Sequence, residues 1–274
     1  MQKRHKDYRS YFEESALSSE KYYISYISEH AGLTISEHMK VLEVGCGLGG
    51  NLLPFARMGC QVSGVDIDPE AIARARELFT EKGIKARFTY ADIHAYADTT
   101  KYDLILLHDS IEHIPNKKEL MLRLQTLLTD DGILYISFPA WHMPFGGHQQ
   151  VGRTRFVSHC PFIHLLPRKL YARLLRKVGE PEGAIRDFLN IKETKMTIQS
   201  FQHLCDDTGY EIIHRRLYLI NPHYEEKFGL KPRPLWRGIA AIPYVRDIFS
   251  TSCHYLIQKK DTLYQVLKEF VDTH

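Results

Sequence analysis

From residue 40 onward, short apolar runs alternate with amphipathic stretches. Residues 40–45 are apolar and end in glycine, which predicts a strand entering a tight turn. Residues 51–58 suit a helix and 61–66 a second strand. Residues 69–82 predict a second helix, with Pro69 at its start and Gly83 just past its end. A third strand follows at 87–91 and a fourth at 102–108, nearly all apolar, as in a strand buried on both faces. Residues 117–128 read as a helix closed by Thr129-Asp130-Asp131-Gly132, and 133–138 as the fifth strand. Strands alternating with helices predict an α/β fold, a parallel sheet with helices on both faces.

After Pro139 the rhythm breaks. Residues 140–196 are rich in Pro, Gly, His and Arg. A helix at 197–208, Gly209 as its stop and a β-rich run at 211–220 restore it. A second irregular stretch, 221–250, precedes a last strand at 253–258 and a terminal helix. The first 35 residues read as helical and tyrosine-rich. The late elements complete the early sheet, so the expectation is one domain, 1–274. It comprises a helical cap (1–35), a core (36–139), an insertion (140–196) and a completing segment (197–274) with a second insertion at 221–250.

Composition narrows the class. With 44 % hydrophobic and 25 % charged residues the chain is a globular protein, not a disordered one. No apolar run approaches the roughly 20 residues of a membrane span. The charged start, Met1-Gln-Lys-Arg-His-Lys, lacks the apolar stretch of a secretory signal. A net charge of +3 is too small to imply nucleic acid by itself. Five scattered cysteines (Cys46, Cys60, Cys160, Cys205, Cys253) read as reduced thiols of a cytoplasmic protein, not as a disulfide frame or a zinc site.

The candidate chemistry begins at Val41-Leu-Glu-Val-Gly-Cys-Gly-Leu-Gly-Gly-Asn51. Glycines where a strand becomes a helix let a ligand approach the backbone. Gly45, Gly47 and Gly50 fit G-x-G-x-x-G, the dinucleotide pattern; Glu43 with Gly45, Gly47 and Gly49 fits E-x-G-x-G-x-G. Asp66 stands at the tip of the second strand, where a carboxylate can accept both hydroxyls of a ribose. Asp92-Ile93 ends the third strand, and the fourth runs into His108-Asp-Ser-Ile-Glu112-His113.

These four motifs, in this order, resemble the class I S-adenosylmethionine-dependent methyltransferases over residues 39–139, and more loosely over 197–259. The resemblance implies a Rossmann-like, doubly wound sheet of seven strands in the order 3-2-1-4-5-7-6, the last antiparallel, with helical insertions forming a substrate lid. It implies S-adenosylmethionine as cofactor and S-adenosylhomocysteine as product. Glu43, Gly45, Cys46, Gly47 and Gly49 would line the methionine end, Asp66 would hold the ribose, Ile67 would pack on adenine, Asp92 and Ile93 would read its edge, and His108 would sit beside the cofactor. The sulfonium is cationic, and carboxylates such as Glu43 favour it.

Asp109-x-x-Glu112-His113 resembles the metal-binding E-x-x-E-H of ubiquinone-biosynthesis O-methyltransferases and small-RNA terminal 2′-O-methyltransferases, with Asp in place of the first Glu. Two carboxylates and an imidazole can hold a Mg- or Zn-like ion that lowers an acceptor hydroxyl's pKa. E-H-I at this place also occurs in the superfamily without metal, so no metal ligand is assigned from the sequence. His148, His113 and His142 are the catalytic candidates, as general base or acceptor anchor. Gly146-Gly147 would turn His148 toward a pocket walled by Trp141 and Phe145. The helical stretch 167–178 carries five cations with Leu170, Leu174, Leu175 and Val178 at helical spacing, and offers a peripheral membrane contact. The expected function is O-methylation of a small-molecule, lipid-linked or glycan acceptor; nucleic acid is disfavoured, although the E-x-x-E-H likeness leaves a terminal ribose open. A dinucleotide oxidoreductase and a catalytically inactive cofactor-binding module, acting as sensor or partner, are the alternatives.

Overall fold

The computed structural model describes residues 7–260. One sheet contains β1 (Lys40–Val44), β2 (Gln61–Asp66), β3 (Arg87–Tyr90), β4 (Tyr102–His108), β5 (Leu128–Phe138), β6 (Tyr210–Ile220), β7 (Arg233–Pro234) and β8 (Ser252–Lys259). Their order is β3-β2-β1-β4-β5-β8-β6-β7. β1 to β5 pair in parallel, and β8 runs antiparallel to both β5 and β6. The expected seven-strand order is therefore present, with β8 as its seventh strand. The sequence-based count missed β7, a two-residue strand on the outer edge, where proline's missing N–H costs no ladder bond.

Side chains of successive strand residues point to opposite faces, and the sheet carries a core on each. Leu42, Val44, Ile105, Leu107, Leu134 and Ile136 enter one core; Val41, Leu104, Leu106, Ile133 and Tyr135 enter the other. The helix Pro69–Glu81 starts on Asp68, whose carboxylate accepts the Glu70 and Ala71 N–H groups. It buries Ile72, Ala75, Leu78 and Phe79, the larger of them worth on the order of 1.5–3 kcal/mol each. Thr197 and Ser200 form a capping box on the helix Ile198–Asp207.

Two local expectations are corrected. Residues 129–132 are not a helix stop; they belong to β5, which begins directly at Leu128 opposite Tyr102. A register irregularity before Leu104 absorbs the extra residues, so turn-prone Asp130 and Asp131 stand exposed on a strand. Residues 51–58 open as a 3-10 turn (Gly50–Leu52) before the short helix Leu53–Arg57, with Pro54 in its first turn. The N-terminal region is helical over Tyr8–Ser18 and Ile24–His30, joined by a π-helical turn at Ser19–Tyr23. The expected terminal helix lies outside the described residues.

The first insertion folds Arg155–His159, Arg168–Lys177 and Glu182–Thr194 around a separate cluster of Val157, Tyr171, Leu175, Ile185 and Phe188. The leucine stripe expected of its basic helix is only partly used: Leu175 is fully buried while Leu170 is 49 % exposed, because Tyr171 and Ala172 lead the packed face. The second insertion holds the short helices His223–Phe228, Arg237–Ala240 and Val245–Phe249. Among the described residues, no helix is long and apolar enough to cross a membrane.

Candidate functional site

β1 delivers its glycine loop to the carboxyl-terminal edge of the parallel strands, where doubly wound sheets bind ligands. Gly45, Gly47 and Gly49 all have positive φ (71°, 50° and 77°), whereas Gly50 does not. The backbone thus follows the E-x-G-x-G-x-G spacing, and Gly50 serves packing: a Cβ there would lie 2.6 Å from the Phe12 carbonyl oxygen. A Cβ on Gly45 would overlap Ser110 Oγ, so the loop and the end of β4 can meet only around a glycine. The Gly47 N–H donates to Asp66 Oδ2 at 2.7 Å, and the Asp68 N–H to Asp66 Oδ1 at 2.9 Å. These bonds fix the carboxylate at the strand tip and leave each oxygen further lone-pair capacity.

A cavity of about 300 Å³ opens beside this tip, lined among others by Gly45, Asp66, Ile67, Asp92, Ile93 and His113. A second, of about 140 Å³, shares Gly45 and Ser110 with it and continues past Cys46, Gly47, Asn51, His108 and Asp109. Tyr11 and Tyr23 of the N-terminal helices and His223 of the second insertion close that end. The Tyr23 ring lies tilted against His108, with the ring centroids 4.6 Å apart. Together the two cavities form one groove across the ends of β1, β2, β3 and β4.

Glu43 and Gly49 do not line the groove. Glu43 is buried in β1, where Oε1 accepts from Asn51 Nδ2 at 2.6 Å and Oε2 has no hydrogen-bond partner. Burial pushes its pKa up to about 8. An orphaned buried carboxylate oxygen behind a glycine cradle suits a cation in the groove, and the residues present fit an adenosyl sulfonium.

Behind the groove lies the histidine cluster. Glu112, three residues past the left-handed Asp109 (φ 45°), is buried, and neither of its side-chain oxygens has a hydrogen-bond partner. His113 Nε2 and His148 Nε2 each stand 3.7 Å from Glu112 Oε1, and the two imidazoles meet edge to face at 5.0 Å. Burial holds His148 down at about 4, with His113 adding to it, and burial also lowers His113. Both imidazoles are therefore neutral at pH 7. Burial raises both nearby carboxyls. At Asp109 the surrounding imidazoles, His108 first, reverse that; Glu112 stays well above the usual carboxylate range.

The donor atoms of Glu112, His113 and His148 all lie within 4.8 Å of one another, a set able to hold a metal ion. The sequence suggested Asp109 with Glu112 and His113. The structure instead brings in His148, while Asp109 accepts from Ser137 Oγ. The left-handed residue at the Gly146-Gly147 turn is His148 itself (φ 56°). Those glycines serve close approach, since a Cβ on either would overlap Trp141 or His164.

His142 is not brought to the groove. Its Nδ1 and N–H both bind Asp247 Oδ2, at 2.7 and 3.0 Å, tying the first insertion to the second. Trp141 is likewise buried against His164 and forms no groove wall. Sequence reasoning missed Ser110, His94, Asn51 and His223 as lining or supporting groups. Asn51 carried a local signal, its place in the first turn after the loop; His223 carried none.

A family model described as a methyltransferase domain matches residues 35–171, half of the chain. The chain belongs to the class I S-adenosylmethionine-dependent methyltransferases. Among curated relatives, a ubiquinone biosynthesis O-methyltransferase of Glaesserella parasuis serovar 5 (strain SH0165) is 33 % identical over 104 residues, 36 % of this chain and 44 % of that protein. The chain spans about half the length, or less, of the curated relatives it matches. Among solved structures, an S-adenosylmethionine-dependent methyltransferase from Clostridium acetobutylicum ATCC 824 superposes with a TM-score of 0.56 at 12 % identity, covering 89 % of this chain and 92 % of the other. The plantazolicin methyltransferase BpumL, solved with a triazolic desmethylPZN analogue and SAH, gives 0.52 at 17 % identity, covering 91 % and 86 %. At such identities the likeness is one of fold, and it extends beyond the half of the chain that the family model matches.

Proposed function

We propose that the chain binds S-adenosylmethionine in the groove and methylates a hydroxyl of a small or lipid-linked acceptor. The observation that carries this is the pairing of the glycine cradle and Asp66 with two neutral histidines, His113 and His148, set against the buried Glu112 beside it. When bound, the cofactor supplies an electrophilic methyl on a cationic sulfur. Asp66 and Asp92 hold the nucleoside, and Glu43 favours the positive charge from behind the loop as the bound cation draws off its proton. His113 lines the groove and His148 backs it; their neutral imidazoles accept hydrogen bonds from an acceptor hydroxyl and orient it for in-line attack. A divalent cation would find Glu112, His113 and His148 as ligands and would acidify that hydroxyl there. The similarity to ubiquinone biosynthesis O-methyltransferases over 104 residues supports oxygen as the acceptor atom.

The test offers methyl-labelled S-adenosylmethionine with a panel of acceptors, namely a prenylated catechol, a glycan and a primary amine, with and without chelator. Label on a hydroxyl is expected. Label on the amine alone, or none from a protein that binds S-adenosylhomocysteine, would overturn the acceptor assignment.

A further inference from the structure

Exposed apolar side chains are unevenly distributed over the molecule. In the second insertion Phe228, Leu230, Trp236, Ile242, Tyr244, Val245, Ile248 and Phe249 are all exposed, Trp236 at 73 % and Tyr244 at 70 %. The segment is firmly pinned beneath them. Leu235 is buried in the main core, and its N–H donates to Leu217 O at 2.8 Å. Asp247 is buried, accepting from His142 and from the Ile198 N–H at 2.8 Å, and Arg246 reaches Gln202. The helices Arg237–Ala240 and Val245–Phe249 pack on each other, so Trp236, Ile242, Tyr244, Ile248 and Phe249 surround one small helical pair.

The charge on this segment has one sign. Between residues 227 and 249 the only acid is Asp247, which is buried, while Lys231, Arg233 and Arg237 are exposed. Among the described residues none of those three cations forms an ion pair. An exposed set of Trp, Tyr, Phe and Ile rimmed by these cations matches the interface of an anionic bilayer, where aromatic rings sit at headgroup level and each cation near the surface adds to the attraction. A protein partner or a second copy would need acids to meet these cations, and the segment offers a second copy none.

We propose that residues 228–249 dock the protein on an anionic phospholipid surface. The docking face differs from the one expected at the sequence level. In the helix Arg168–Lys177, Arg168 and Arg176 are paired with Glu193 and Glu182, and most of its apolar residues serve the insertion's own core. The segment follows β6, which runs parallel to β4 and β5, so it leaves the sheet at the same edge as the groove. His223, five residues before Phe228, lines the groove itself. Docking would set the groove mouth near the lipid surface. The inference does not depend on which acceptor is methylated.

Flotation of the full chain with vesicles of phosphatidylcholine alone, and of phosphatidylcholine mixed with phosphatidylglycerol, tests it. Binding to the mixed vesicles only is expected, weakening with added salt. The emission of Trp236 should shift to the blue; the chain's other tryptophan, Trp141, is already buried. Trp236→Ser with Tyr244→Ser, and separately Lys231→Glu with Arg237→Glu, should each lower the partition coefficient roughly tenfold or more. These side chains are exposed, so an unchanged melting temperature confirms folding. Arg173→Glu with Lys177→Glu should leave partitioning unchanged. Absence of binding to anionic vesicles, undiminished binding by either of the two double variants in the segment, or loss confined to the Arg173 and Lys177 variant would overturn the proposal. So would lipid-free self-association that shields Trp236, which would assign the face to a second copy.

Discussion

The glycine loop after β1 and the histidine cluster behind β4 occupy the same edge of the sheet, and each contains a buried glutamate with its pKa raised by burial. They are built differently. Around Glu43 every partner is local: Asn51 lies eight residues on, and the loop amides reach Asp66 at the adjacent strand tip. Around Glu112 the partners come from separate segments, His113 beside it and His148 from beyond β5. Asn51 satisfies one oxygen of Glu43, whereas Glu112 has none satisfied. The first arrangement is a cradle shaped before any ligand arrives. The second is a polar pocket with unsatisfied lone pairs, and such groups are costly to bury.

The largest expected effect separates the two directly. His148→Ala should lower kcat by about 10²-fold or more, in the usual range for an acid–base or orienting group, and leave the Kd for S-adenosylhomocysteine within about twofold. Equal turnover would remove His148 from the reaction. Next, Asp66→Ala should weaken S-adenosylhomocysteine binding by about 1.5–3 kcal/mol by calorimetry, the loss typical of hydrogen bonds to a charged group. An unchanged Kd would contradict the cradle's role.

A smaller effect concerns pH. Glu43, with a folded pKa of about 8 against an ordinary 4.5, takes up a proton on folding. The stability it contributes is whole below about 4.5 and is lost as pH rises through about 8. The ligand-free protein should therefore melt a few degrees lower at pH 8.5 than at pH 5.5, and Glu43→Gln should flatten that slope. An equal slope in the variant would place the titration elsewhere. The smallest effect is at His142, half-exposed and paired with Asp247. His142→Ala should cost no more than about 1 kcal/mol in urea unfolding and leave kcat unchanged. A turnover defect would return it to the catalytic set.

The same contrast explains what the chain revealed before it was folded. Strands with alternating cores, such as Val41/Leu42 in β1, and a helix capped by Asp68-Pro69 are set by neighbours in sequence and were legible. So was the groove's near wall, since the glycine loop, Asp66 and Asp92 each end a strand. The register irregularity opening β5 was not, because Asp130-Asp131-Gly132 has turn chemistry and only pairing with β4 holds it extended. The place of His142 was not legible either. The proximity of two histidines to a Gly-Gly turn said nothing of Asp247, more than a hundred residues on, which draws one of them away. His148 itself was found for a partly mistaken reason: the glycines before it relieve crowding, and the histidine bears the left-handed backbone.

The central claim is that the groove between the glycine loop and the Asp66 tip grips an adenosyl cofactor whose sulfur is positively charged. Titration calorimetry of the full chain with S-adenosylmethionine, and in parallel with NAD, tests it most directly. Saturable one-site heat with the sulfonium compound and none with the dinucleotide is the predicted result. Saturable heat with NAD and none with S-adenosylmethionine would contradict it.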